Sequence, residues 1–259
     1  VPQRLLPVLM LALAMTGCAT LSSDVDDLPT GDLGSPTAEQ SPADVYIELS
    51  KAYLQDGQLT EAYKNARKAV LADSRSSNAH YMHALVEQRL GQFEAADKAY
   101  RQAIARDPRN SDVLNAYGGF LCAQMQRFDA ADPYFRRALE NPLYGTPWFA
   151  YHNAGDCKYL KGDIAGAETD FRAALQRNPR FAPSLLRMAE VSFENRQYLS
   201  ARAYLQRYEE VAPHTPKSLW LGVQTERQLG DNRQTASYGR QLRAEFPDSE
   251  QARYLETVE

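Results

Sequence analysis

The chain has 259 residues, 44% of them apolar and 24% charged, with 29 Lys and Arg against 33 Asp and Glu. Together with a mean hydropathy of -0.53, these figures exclude a disordered tail protein, a collagen-like fibre and a multi-span membrane protein. Residues 1–17 carry only Arg4 and residues 18–42 carry five carboxylates and no base, which leaves 28 basic and 28 acidic side chains in residues 43–259. That neutral body argues against a nucleic-acid surface, which needs a local excess of Lys and Arg.

Residues 1–17 read VPQRLLPVLMLALAMTG, an apolar stretch from Leu5 to Met15 followed by small residues and Cys18. Its eleven residues, at about 1.5 Å each, fall short of a hydrocarbon core of roughly 30 Å, so the segment reads as a secretory signal and not a transmembrane helix. The string Leu13-Ala14-Met15-Thr16-Gly17-Cys18 resembles a bacterial lipobox, with Met15 where Leu is usual. The resemblance implies a lipoprotein whose Cys18 carries acyl chains such as palmitate and becomes the first mature residue. An ordinary signal peptide that happens to contain a cysteine is the alternative. Ala19, in place of Asp, implies by the same resemblance an outer-membrane address facing the periplasm. The 24 residues 19–42 have no helical or strand period; as an acidic tether they span on the order of 25–30 Å.

The body is a repeat. Prolines 108, 142, 179, 213 and 247 are 34, 37, 34 and 34 residues apart, and alanines 62, 96, 131, 167 and 201 follow at 34, 35, 36 and 34. Tyr100, Phe135, Phe171 and Leu205 keep the same rhythm, and Gly57, Gly91, Gly162 and Gly230 mark a turn inside four units. This period resembles the tetratricopeptide repeat, a pair of antiparallel helices that buries its apolar stripe only against its neighbours. The resemblance implies an all-α fold, a right-handed superhelical solenoid of six helix-pair repeats. They are placed at 43–76, 77–110, 111–144, 148–181, 182–215 and 216–249, with a cap at 250–259. Repeat six departs from the pattern, with Thr235 and Gly239 where Ala and an aromatic belong.

Little in the sequence carries chemistry. There is no phosphate-binding glycine loop, no G-x-S-x-G and no H-E-x-x-H, so neither a catalytic residue nor a cofactor is expected. His80 and His83 lie three apart on a helix, as metal ligands can, but they occupy packing places of repeat two without a third ligand, and no metal is expected. His152 and Cys157 are five apart and point away from one another on a helix, which disfavours a nucleophile and base. With Cys18 given to lipid, Cys122 and Cys157 remain as an even pair late in the first helices of adjacent repeats. A disulfide suits an oxidising periplasm; two buried thiols set too far apart is the alternative that sequence leaves open. Places 5, 9 and 12 of the first helices line the concave face and include Ile47, Leu54, Tyr81, Leu85, Tyr159, Phe193 and Trp220. Apolar side chains where packing does not demand them suggest a groove for an amphipathic partner segment.

One resemblance is more specific. Asn115-Ala-Tyr-Gly-Gly-Phe-Leu-Cys122, Asn141-Pro-Leu-Tyr144, Pro147 and Asn153-Ala-Gly-Asp-Cys157 are not demanded by the generic repeat. They resemble the centre of the type IV pilus biogenesis lipoproteins called PilF or PilW. That family implies a non-enzymatic pilotin that helps the pilus secretin reach the outer membrane and multimerise. Other pilus-assembly proteins are further candidate partners. A periplasmic repeat lipoprotein scaffolding peptidoglycan hydrolases or synthases is the competing reading.

Overall fold

The computed structural model describes residues 41–258, so the leader, Cys18 and all but the last two residues of the expected tether lie outside the described residues. Those two, Ser41 and Pro42, belong to the fold: Ser41 caps the first helix and Pro42 opens it. Among the described residues there are thirteen helices and no strand. Six pairs follow one another: α1 (Pro42–Gln55) with α2 (Leu59–Ala72), α3 (Ser77–Arg89) with α4 (Phe93–Arg106), and α5 (Ser111–Ala123) with α6 (Phe128–Leu139). Then come α7 (Pro147–Lys161) with α8 (Ile164–Arg177), α9 (Ala182–Glu194) with α10 (Tyr198–Glu209), and α11 (Pro216–Leu229) with α12 (Asn232–Glu245). A last helix, α13 (Glu250–Val258), packs on α11 and α12. Each helix packs on the next, and α1 on α3 and α5 on α7, the neighbour pattern of a tetratricopeptide solenoid.

Local chemistry sets the boundaries. Ser41 accepts the Asp44 amide while the Asp44 carboxylate takes the Ser41 amide, a capping box that starts α1. Ser76, Asn110 and Thr215 cap α3, α5 and α11 in the same way through a side-chain oxygen. The turn inside each pair needs a left-handed residue. Gly57, Gly91, Gly162 and Gly230 supply it at φ between 73° and 89° in four pairs, whereas Gln126 (φ 51°) and Arg196 (φ 60°) supply it in the other two.

The core is assembled from a small residue on the first helix of a pair facing a large one on the second. A Cβ placed on Gly118 would lie 2.7 Å from Phe135, and one on Gly222 would lie 2.8 Å from Tyr238. Repeat six therefore does contain its aromatic: Tyr238 fills the place that Gly239 vacates, one residue earlier. Between units, the Tyr100 ring sits 5.3 Å from both Tyr117 and Phe120 of the next first helix. Arginines near the ends of the second helices clasp the preceding turn, Arg106 donating to the Ser74 carbonyl, Arg137 to Pro108 and Arg207 to Pro179, at 3.0–3.1 Å. Such bonds satisfy turn carbonyls that lie just beyond the helix ends and have no place in a helical ladder.

Candidate partner-binding groove

A concavity with an apolar floor lies between α1 and α3. Residues 47, 51 and 54 on α1 and 78, 82, 85 and 89 on α3 recur at three- and four-residue steps, which puts each set on one helix face. They enclose about 710 Å³. Ile47, Leu54, Tyr81, Met82 and Leu85 form the floor, and Asp44, Glu48, Lys51 and Arg89 form a charged rim. A smaller space of about 270 Å³ shares Leu54, Leu85 and Arg89 and continues to Phe93 and Gln124, where the first helices end. Tyr81 packs its ring 6.2 Å from Tyr100. Burial first, then the Asp112 carboxylate and Tyr144, push its hydroxyl up to about 12, so it stays a neutral donor. The surface can hold a segment that brings apolar side chains to the floor and polar ones to the rim.

Four of the seven groove residues read from the sequence, Ile47, Leu54, Tyr81 and Leu85, meet at this cavity. The other three lie elsewhere, half-buried like the first four and each in contact with a neighbour. Tyr159 donates its hydroxyl to Glu194 and carries the Arg187 guanidinium 5.3 Å above its ring. Phe193 packs against the core of Ala189, Leu205 and Leu221, with its ring 5.5 Å from Tyr198. The Trp220 ring stands perpendicular to Tyr254 of α13 at 5.3 Å. Met82 and Arg89 belong to the cavity but fall outside places 5, 9 and 12; the 78, 82, 85, 89 ridge of α3 is the signal for them.

Cys122 and Cys157 are joined as a disulfide, with their Cα atoms 5.6 Å apart, and it links α5 to α7. The histidines are engaged in packing. His80 is buried with Nε2 3.0 Å from the Ser74 carbonyl, and His83 faces Glu87 at 3.1 Å. Burial, helped by His80 and Arg67, holds His83 below the usual imidazole range, and burial raises Glu87 above the usual carboxylate range. Among the described residues no three His, Cys, Asp or Glu side chains form a cation site. His152 lies between Ser184 Oγ (3.0 Å) and Asp156 Oδ2 (3.5 Å), atom types that also occur in hydrolases. Ser184 is wholly buried, so no substrate carbonyl can reach it.

Comparison with known proteins agrees with this architecture. Tetratricopeptide-repeat models match residues 81–144 and 155–216, and another matches residues 43–75. The type IV pilus assembly protein PilF of Pseudomonas aeruginosa is 35% identical over 242 residues, covering 93% of each chain. An uncharacterised protein of Haemophilus influenzae is 32% identical over 120 residues, covering 46% of this chain and 66% of its own. Among solved structures, PilW, described as a widely conserved type IV pilus biogenesis factor, superposes with a TM-score of 0.75 at 28% identity, covering 82% of this chain and 97% of that one. The solved Pseudomonas aeruginosa PilF also gives 0.75, at 32% identity over 84% and 98%.

Proposed function

Because the chain belongs to the PilF/PilW family of type IV pilus biogenesis tetratricopeptide-repeat proteins, we propose that it is the pilotin of a pilus secretin. In this reading it is a non-enzymatic lipoprotein of the outer membrane, facing the periplasm, that binds the secretin and aids its localisation and multimerisation. The observation that carries the reading is the α1–α3 cavity, whose apolar floor and charged rim suit the ridge of an amphipathic segment. Two acyl chains or more on Cys18 make the anchorage stable, since each buried methylene contributes about 0.8 kcal/mol. Lipid supplies delivery and the groove supplies selection.

The test is genetic and biochemical together. In a strain lacking this protein, secretin multimers are expected to fall and to return with the wild-type chain. Cys18→Ser is expected to leave the repeats folded and to move the protein out of the outer-membrane fraction. Normal secretin multimers in the deletion strain, with wall hydrolases or synthases recovered on the protein in place of secretin, would instead favour the scaffold reading.

A further inference from the structure

The turns between repeats lie along one edge of the stack, where second helices end and first helices begin. Segments 105–110, 136–143, 176–181 and 206–213 of that edge hold seven arginines and four carboxylates, within a body that is neutral as a whole. Five of them are held: Arg106, Arg137 and Arg207 clasp the turns before them, Arg180 reaches the Glu210 carbonyl at 3.4 Å, and Arg136 is paired with Asp132 at 2.9 Å. Among the described residues Arg109, Arg137, Arg180 and Arg207 form no salt bridge, whereas Arg101, Arg172 and Arg187 on other faces each do. The Asp107 carboxylate is turned onto the backbone amide of Arg109. Glu140, Glu209 and Glu210 are exposed, and seven arginines against four carboxylates leave the edge net positive.

The same edge carries apolar side chains in water. Leu143 is 88% exposed on a turn closed by its own amide onto Asn141 Oδ1, and it shares a depression with Arg109 and Arg137. Phe149 is 43% exposed, with its ring 4.9 Å from Phe181, the neighbour of Arg180. Apolar side chains on rigid backbone, flanked by unneutralised guanidinium groups, match a lipid interface in both charge and polarity.

We propose that this edge rests on an anionic phospholipid surface, with Arg109, Arg137, Arg180 and Arg207 at the phosphates and Leu143 and Phe149 entering the headgroup layer. The setting rests on the lipid-anchored reading given above, but the contact is independent of secretin. It would orient the solenoid on the membrane, which a tether alone does not do.

The chain contains two tryptophans. Trp148, with its ring 6.1 Å from that of Phe149, reports on the edge, and Trp220→Phe leaves it as the single tryptophan, excited selectively at wavelengths where tyrosine does not absorb. The full chain carrying Cys18→Ser and Trp220→Phe is mixed with vesicles of brominated phosphatidylcholine, with or without phosphatidylglycerol. Quenching of Trp148 is expected only with phosphatidylglycerol and is reversed by high salt. Arg109→Ala and Arg180→Ala should each weaken vesicle affinity about fivefold, and Leu143→Asp should abolish quenching. The apolar leader is common to all these proteins and cancels in the comparison. Arg109→Ala, which removes no turn clasp, keeps the test valid if Arg180→Ala unfolds the chain. Equal quenching on neutral vesicles, absence of quenching on both, or unchanged affinity in Arg109→Ala overturns the proposal. Secretin capture in the absence of vesicles should be unaffected by these variants, so the two readings fail separately.

Discussion

A Cβ on Gly155 would lie 2.6 Å from Cε1 of the buried Phe171 ring, closer than real side chains approach. Gly155→Ala must therefore displace an aromatic at the centre of repeat four, and a loss of about 1–3 kcal/mol is expected in denaturant unfolding. Adding Phe171→Leu should recover part of the loss by removing the clash. Gly119, on the same kind of helix, has nothing within 4 Å of such a Cβ. Gly119→Ala should gain about 0.5–1 kcal/mol from helix propensity. Equal effects at the two glycines would contradict the packing argument.

The left-handed turns make a second prediction. Arg196 and Gln126 hold φ of 60° and 51° where four other repeats have glycine. Replacing either with glycine relieves about 1–2 kcal/mol of backbone strain and returns part of it as unfolded-chain entropy, a net gain of about 0.5–1 kcal/mol. Thermal unfolding of Arg196→Gly reads the sign directly.

The disulfide closes a loop of 35 residues. In the chain-entropy model it stabilises by about 3–4 kcal/mol, so Cys122→Ser with Cys157→Ser should unfold at clearly lower denaturant. In the unfolded oxidised protein these two thiols should label only after reduction. Equal labelling with and without reductant would show that they are not bonded.

Burial lowers His83 and His152 from the ordinary imidazole value of 6.5. The folded state then binds fewer protons than the unfolded state as pH falls through 6.5, so stability must decline in that direction. The unfolding midpoint should fall on acidification from neutral to below 6.5. The double variant His83→Gln and His152→Gln should fall less steeply. Glu87, raised by burial, acts with the opposite sign at lower pH, because its folded form takes up a proton first.

Much of the fold is legible in spacing alone, because each repeat must return the same residue types to the same contacts. The alanines at 62, 96, 131, 167 and 201 are all wholly buried, and Gly57, Gly91, Gly162 and Gly230 all have positive φ. What spacing does not carry is substitution by an equivalent at a shifted place. Tyr238 replaces the expected aromatic one residue early, and Arg196 and Gln126 adopt a glycine's conformation without being glycine. The groove is legible in repeats one and two, where Ile47, Leu54, Tyr81 and Leu85 face open space. Further along, Tyr159 and Trp220 lie outside that cavity and meet side chains from other helices, Arg187 from α9 and Tyr254 from α13, which spacing does not show. A repeat frame assigns a residue to a face but does not report what a neighbour lays over it.

The measurement that bears most directly on the pilotin reading is capture from envelope extract by the wild-type chain and by Ile47→Asp and Leu85→Asp variants. Ile47 and Leu85 are half-buried against Ala62, Ala66, Met82 and Val86, so each Asp variant is expected to melt somewhat below wild type, and capture is compared at a temperature where circular dichroism shows both variants folded. The expected effect of the charge on binding is on the order of 2 kcal/mol, about thirtyfold in Kd. The account predicts that the wild-type chain retains secretin at high salt and that both folded variants lose it. Secretin retained equally by the wild type and both folded variants, or wall enzymes recovered without secretin, would contradict it.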